Sequence, residues 1–107
     1  MLIELYITQG EDLDDEFQAV TEAGAAVDLT GFSGRGQIRS ASGTLLATLT
    51  VPITVAATGR YRVQLANTLT AALAAGNIGS FDVELYSGTR VYKSLAGPVH
   101  VRGEVTT

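Results

Sequence analysis

Apolar and polar residues alternate with a period of two along most of the chain. Between Gly59 and Leu65, Tyr61, Val63 and Leu65 fall on one side and Arg60, Arg62 and Gln64 on the other. Phe81, Val83 and Leu85 alternate in the same way with Asp82 and Glu84, and Arg35, Gln37 and Arg39 share one face of a third segment. A fourth places Leu45, Ala47 and Leu49 together. The pattern predicts strands over 2–7, 13–21, 35–39, 45–51, 59–65, 80–85, 89–95 and 99–105. In/out alternation of this kind belongs to antiparallel sheets with one face in water.

Turn residues separate these runs: Glu22-Ala23-Gly24, Ser42-Gly43, Ala57-Thr58-Gly59, Asn77 with Gly79, and Ser87-Gly88-Thr89. The last is a tight-hairpin sequence, because glycine takes positive φ without steric cost. Pro52 and Pro98 fall where strand ends tolerate a missing N–H. One helical stretch interrupts. Asn67 or Thr68 is the expected cap of a turn or two through Leu69–Ala75, and Gly76 is its stop. Leu69 and Leu73, four apart, would plug an end of the fold. About eight short strands with one helix and regular turns predict an all-β sandwich or barrel. No linker or repeat divides the chain, so a single domain over 1–107 is expected.

Composition narrows the chemistry. The chain holds no cysteine, which excludes disulfides, thiolate zinc sites and a cysteine nucleophile, and its one histidine is His100. No apolar run approaches the roughly 20 residues of a membrane helix, and no basic-plus-apolar leader predicts export. The net charge of −4 argues against general nucleic-acid binding. Its distribution is uneven. Residues 1–28 carry eight acids and no base, and the remainder carries seven bases against three acids. Such asymmetry predicts that one part folds against the other, or that neighbouring copies meet through opposite faces.

Each candidate site has a bland counterpart. The run Glu11–Glu16 is oxygen-rich but lacks calcium-loop spacing, so Asp12, Asp14 and Glu16 read as one solvated strand face. His100 alternates outward with Val99 and Val101 inward, and no serine sits in a nucleophile elbow, so no enzymatic role, metal or cofactor is expected. The glycines of Gly31-Phe32-Ser33-Gly34-Arg35-Gly36 fit no phosphate-binding pattern and read as a strand bend or a close approach. Arg35, Arg39, Arg60 and Arg62 lie outward on two strands that can be neighbours. Their face suits phosphate contact, plain solvation or a protein partner. The acid set and the arginine set together are the expected protein interface.

The stretch Val27-Asp28-Leu29-Thr30-Gly31-Phe32 has a local explanation, with the aspartate accepting from backbone two residues on while Leu29 and Phe32 pin the turn. It also resembles, together with Gln9-Gly10-Glu11-Asp12, Gln37-Ile38-Arg39, Gly59-Arg60-Tyr61, Leu69-Thr70-Ala71-Ala72-Leu73, Phe81–Leu85 and Gly97-Pro98-Val99-His100-Val101, the small Ig-like β-sandwich domains of tailed-bacteriophage virion proteins. The N-terminal domains of baseplate upper proteins are among these. The chain departs from that pattern at Ala26, where a proline is common, and lacks the long downstream region of baseplate proteins. The resemblance implies an antiparallel Ig-like sandwich that is a non-enzymatic structural or adaptor subunit, in capsid decoration or in tail or baseplate attachment. It implies a virion location after synthesis in the host cytoplasm, with other virion proteins and copies of itself as partners. The rival expectation is an Ig-like adhesion module binding cell-surface carbohydrate.

Overall fold

Two sheets pack face to face, as period-two amphipathic strands require if each is to bury one side. The computed structural model describes residues 3–103. One sheet has five strands in the order β1 (Leu5–Thr8), β8 (Arg90–Arg102), β7 (Gly76–Ser87), β3 (Ser33–Arg39), β4 (Leu45–Leu49). The other has three, in the order β2 (Leu13–Gln18), β6 (Arg60–Leu65), β5 (Ile53–Val55). Numbered along the chain, this is the strand order of an immunoglobulin-like sandwich, with the first strand set against the last. The core lies between the sheets. Ile38, Phe81, Val83, Leu85 and Val99 from one meet Leu13, Tyr61, Val63 and Leu65 from the other.

Several elements differ from the sequence expectation. The count of eight holds, but only because two differences cancel: β5 was not foreseen, and the segments 89–95 and 99–105 are one strand. β8 stays continuous by taking a bulge at Ser94, between the Glu84↔Lys93 and Val83↔Leu95 pairs. Ser94 and Leu95 are consequently both buried, which breaks the alternation. Pro98 therefore sits inside β8, and β1 begins its pairing just past it, at Leu5↔Val99. Asn77 and Gly79 mark a second bulge, within β7, instead of a turn. β1 runs parallel to β8, because the loop after it carries the chain to the other sheet. Leu2, Glu104 and Val105, ends of two predicted strands, lie outside the described residues.

The helix is a single turn, Asn67–Thr70, and its cap comes from elsewhere in the chain. Asp12 Oδ1 accepts the Asn67 N–H at 2.8 Å. The Thr70 hydroxyl donates to the Glu11 carbonyl at 2.8 Å, and the Gln9 amide to the Leu73 carbonyl at 2.6 Å. These bonds fix the turn's orientation. They bury Thr70 and Leu73 and leave Leu69 50% exposed, so Leu69 is not the plug its spacing suggested. Leu45 is likewise exposed, at the start of edge strand β4.

The glycine-rich stretch is a close approach. After β4 the chain leaves the five-stranded sheet, and Thr50 pairs with Gln64 of the other sheet. It passes so near β3 that a Cβ on Gly34 would stand 2.5 Å from both the Val51 carbonyl oxygen and its Cγ1. No side chain fits there.

Candidate functional site

One end of the sandwich collects the connections β2–β3 and β5–β6 with the β7–β8 hairpin, the end that carries binding loops in antibody variable domains. The β2–β3 connection is held in shape by its own side chains. Asp28 Oδ1 accepts the Thr30 N–H at 2.9 Å and the Thr30 hydroxyl at 2.6 Å. Leu29 is buried and donates its N–H to the Ala56 carbonyl at 2.8 Å, and Phe32 closes the turn on the Leu29 carbonyl at 2.9 Å. The hairpin turns in two residues, with Gly88 at φ +60° and Ser87 paired to Arg90. Together they wall a cleft of about 330 Å³ lined by Val27–Thr30, Phe32 and Arg90–Tyr92. Arg90 lies over the Phe32 ring, 5.5 Å from its centroid, and the Tyr92 hydroxyl donates to the Val20 carbonyl at 3.3 Å.

The two bonds from Thr30 hold the Asp28 carboxyl below its ordinary pKa. A carboxyl with a depressed folded-state value stabilises the fold above the unfolded value of about 4. That contribution is lost as pH falls through the lower value. Asp28→Ala is therefore expected to lower the denaturant midpoint at pH 7 and to have progressively less effect as the medium is acidified below about pH 4. Val83→Ala, in the core, costs more, on the order of 2 kcal/mol, with little pH dependence. Urea titrations at pH 7 and at acid pH measure both.

The predicted acid and arginine positions are brought together in part. Asp14 Oδ1 accepts Arg62 Nε at 2.7 Å and Gln64 Nε2 at 3.1 Å. Glu16 accepts Arg60 Nη1 at 3.0 Å and Arg62 Nη1 at 3.3 Å. The β2–β6 register sets Glu16 directly opposite Arg62. Arg62, then Gln64, lowers the Asp14 pKa. Asp12 stands apart as the helix cap. Arg35 pairs with Glu84 at 2.9 Å over the Tyr86 ring, and Arg39 binds Gln37 and the Gly43 carbonyl. The four arginines do not form one face. Arg35 and Arg39 are on β3 of the five-stranded sheet, whereas Arg60 and Arg62 are on β6 of the other, so the expectation that their strands are neighbours is corrected. Like charges set opposite each other destabilise a sheet. Arg60→Glu, Arg62→Glu together should lower the melting temperature in dilute buffer, and 1 M salt should recover part of the loss, since the Debye length is then about 3 Å. A salt-independent loss would mean packing, not charge, was removed.

His100 does face outward, but β8 is an interior strand, flanked by β1 and β7. The imidazole stacks on Tyr6 at 5.1 Å, with Nε2 3.4 Å from Glu4 Oε1. The Tyr6 hydroxyl, donating at 2.8 Å, is the main cause of the lowered Glu4 pKa, with His100 adding to it. Among the described residues, no group of three His, Asp or Glu side chains could hold a metal. None of their helices is long and apolar enough to cross a membrane.

The cleft itself went unread in the sequence. Arg90, Val91 and Tyr92 have no motif, and their one signal is an exposed Val-Tyr pair directly after a tight turn. By fold the chain is an immunoglobulin-like β-sandwich with three of its connections gathered at this end. No family model matches it, and no curated protein is similar to it. Among solved structures it is similar to a Lin-41 filamin domain, at 11% identity over 91% of this chain and 82% of that one, with a TM-score of 0.47. It is also similar to a family 123 glycoside hydrolase from Clostridium perfringens, at 8% identity and a TM-score of 0.43, covering 99% of this chain and 24% of the hydrolase.

Proposed function

We propose that this chain is a non-enzymatic structural or adaptor subunit of a tailed-phage particle, in capsid decoration or in tail or baseplate attachment. Its partners in this reading are neighbouring virion proteins and copies of itself, and its location is the virion after synthesis in the host cytoplasm. One observation carries the reading. The segments that resemble phage sandwich domains are far apart in sequence, yet they pair at the joints of the fold. Gln9–Asp12 is stitched to the Asn67–Leu73 region by the Gln9, Asp12 and Thr70 bonds. Ile38 pairs with Phe81 and Phe81 with Gly97, and Val27 reaches Gly59 through Ala19, which accepts the Val27 N–H and donates its own to the Gly59 carbonyl. The resemblance thus falls on framework residues that act together. Arg35, Arg39, Arg60, Arg62, Asp14 and Glu16 already have partners within the chain, so in a docked state they would orient a neighbour, with apolar contact supplying the affinity.

A second reading, an adhesion module for cell-surface carbohydrate, is favoured by the aromatic side chains of Phe32 and Tyr92 in the loop-end cleft. Quantitative mass spectrometry of purified particles separates the two when combined with a glycan-binding screen of the isolated chain. A fixed number of copies per particle and no glycan binding is the expected result. Absence from particles with glycan binding through the cleft overturns the first reading in favour of the second.

A further inference from the structure

At one end of the sandwich an arginine, and at the other a glutamate, has no ion-pair partner among the described residues, and each lies beside an exposed apolar side chain. At the hairpin end, Arg90 has no ion-pair partner among the described residues, and Val91 beside it is 51% exposed. Its guanidinium rests on Phe32 at the mouth of the cleft. At the far end, Glu11 likewise has no ion-pair partner among the described residues, and Leu69 projects from the one-turn helix bound to the same loop. The bonds of Asp12 to Asn67 and of Thr70 to Glu11 hold this tip in a fixed shape, which keeps the ordering cost of docking low.

We propose that copies of this chain associate head to tail, the Glu11–Leu69 tip of one seated in the Phe32–Arg90–Val91 cleft of the next. Arg90 is the complement of Glu11 in a cleft that Asp28 also lines, and each of the two is paired with an apolar side chain. A leucine entering the cleft would cover Val91, while Glu11 meets Arg90 at its rim. Exposed charge pairs contribute little affinity but fix orientation, so the apolar contact carries the binding and the charges select the end-to-end arrangement. The contact is heterologous. Every copy offers one tip and one cleft, so the assembly either grows as an open row or closes into a ring. The inference rests on the structural-subunit reading only in taking copies of the chain as neighbours.

Sedimentation velocity of the full chain up to about 1 mM, a range where weak contacts are populated, tests it with Arg90→Glu, Glu11→Arg and the double variant. The native chain should show a sedimentation coefficient that rises with concentration and with falling salt. Each single reversal should weaken association roughly tenfold, and the double variant should restore it. Circular dichroism confirms that each variant is folded. A native chain that stays monomeric, a folded Arg90→Glu variant that associates like the native chain, or a double variant that fails to recover overturns the proposal. A monomeric chain that is still present at fixed copy number in particles overturns this contact alone. Charge-specified rows formed by a chain absent from particles would overturn the virion role alone.

Discussion

Tyr61→Ala is expected to remove about 3–5 kcal/mol of stability, the range for truncating a buried aromatic. Domains of this kind are stable by only about 5–15 kcal/mol, so the variant should be largely unfolded in moderate urea. Tyr61 is fully buried at the centre of the three-stranded sheet, its ring 6.0 Å from Phe17. Its hydroxyl crosses the sandwich to Ser94 Oγ at 2.5 Å. Burial raises its pKa, with the Ser94 bond opposing the rise. Tyr61→Phe keeps the ring and loses the hydroxyl, and should cost only about 1 kcal/mol. Urea midpoints at equal m-value give both numbers. Equal losses would mean the cross-sheet hydrogen bond, and not the ring, holds the layers together.

Gly97→Ala is the second large effect. A Cβ there would stand 1.6 Å from the Ile3 carbonyl oxygen and 2.7 Å from the Ile3 carbonyl carbon. Both are backbone atoms, so no side-chain rotation relieves the clash, and β1 must leave β8. The Ile3 N–H bond to Ala96 would go, and Leu5 and Ile7 would leave the core. Burying one such side chain contributes about 1.5–3 kcal/mol. The expected result is loss of amide-exchange protection over Leu5–Thr8 with a stability drop of at least about 3 kcal/mol. Gly103→Ala is the matched control, since a Cβ there meets nothing nearer than 3.8 Å and should be neutral.

Much of the architecture was legible because alternation fixes which face of a strand is buried. Tyr61, Val63 and Leu65 on β6, and Phe81, Val83 and Leu85 on β7, are all buried as their spacing requires. The Asp28 turn was legible for a different reason: its hydrogen bonds are local and need no knowledge of the fold. What escaped the sequence depends on partners distant in the chain. Ser94 faces inward only because β8 bulges against β7, and Leu69 is exposed only because Asp12, more than fifty residues away, sets the helix orientation. The arginines show the same limit. Their outward direction follows from alternation, but which sheet each strand joins does not. The cleft depends on two connections meeting at one end, which no single segment encodes.

Electron microscopy of tailed-phage particles assembled with and without this chain tests the central claim most directly. The account predicts difference density at symmetry-related positions, each copy the size of one 11.2 kDa sandwich and contacting its neighbours through the loop end or the helix end. Particles whose reconstructions are identical with and without the chain would contradict it.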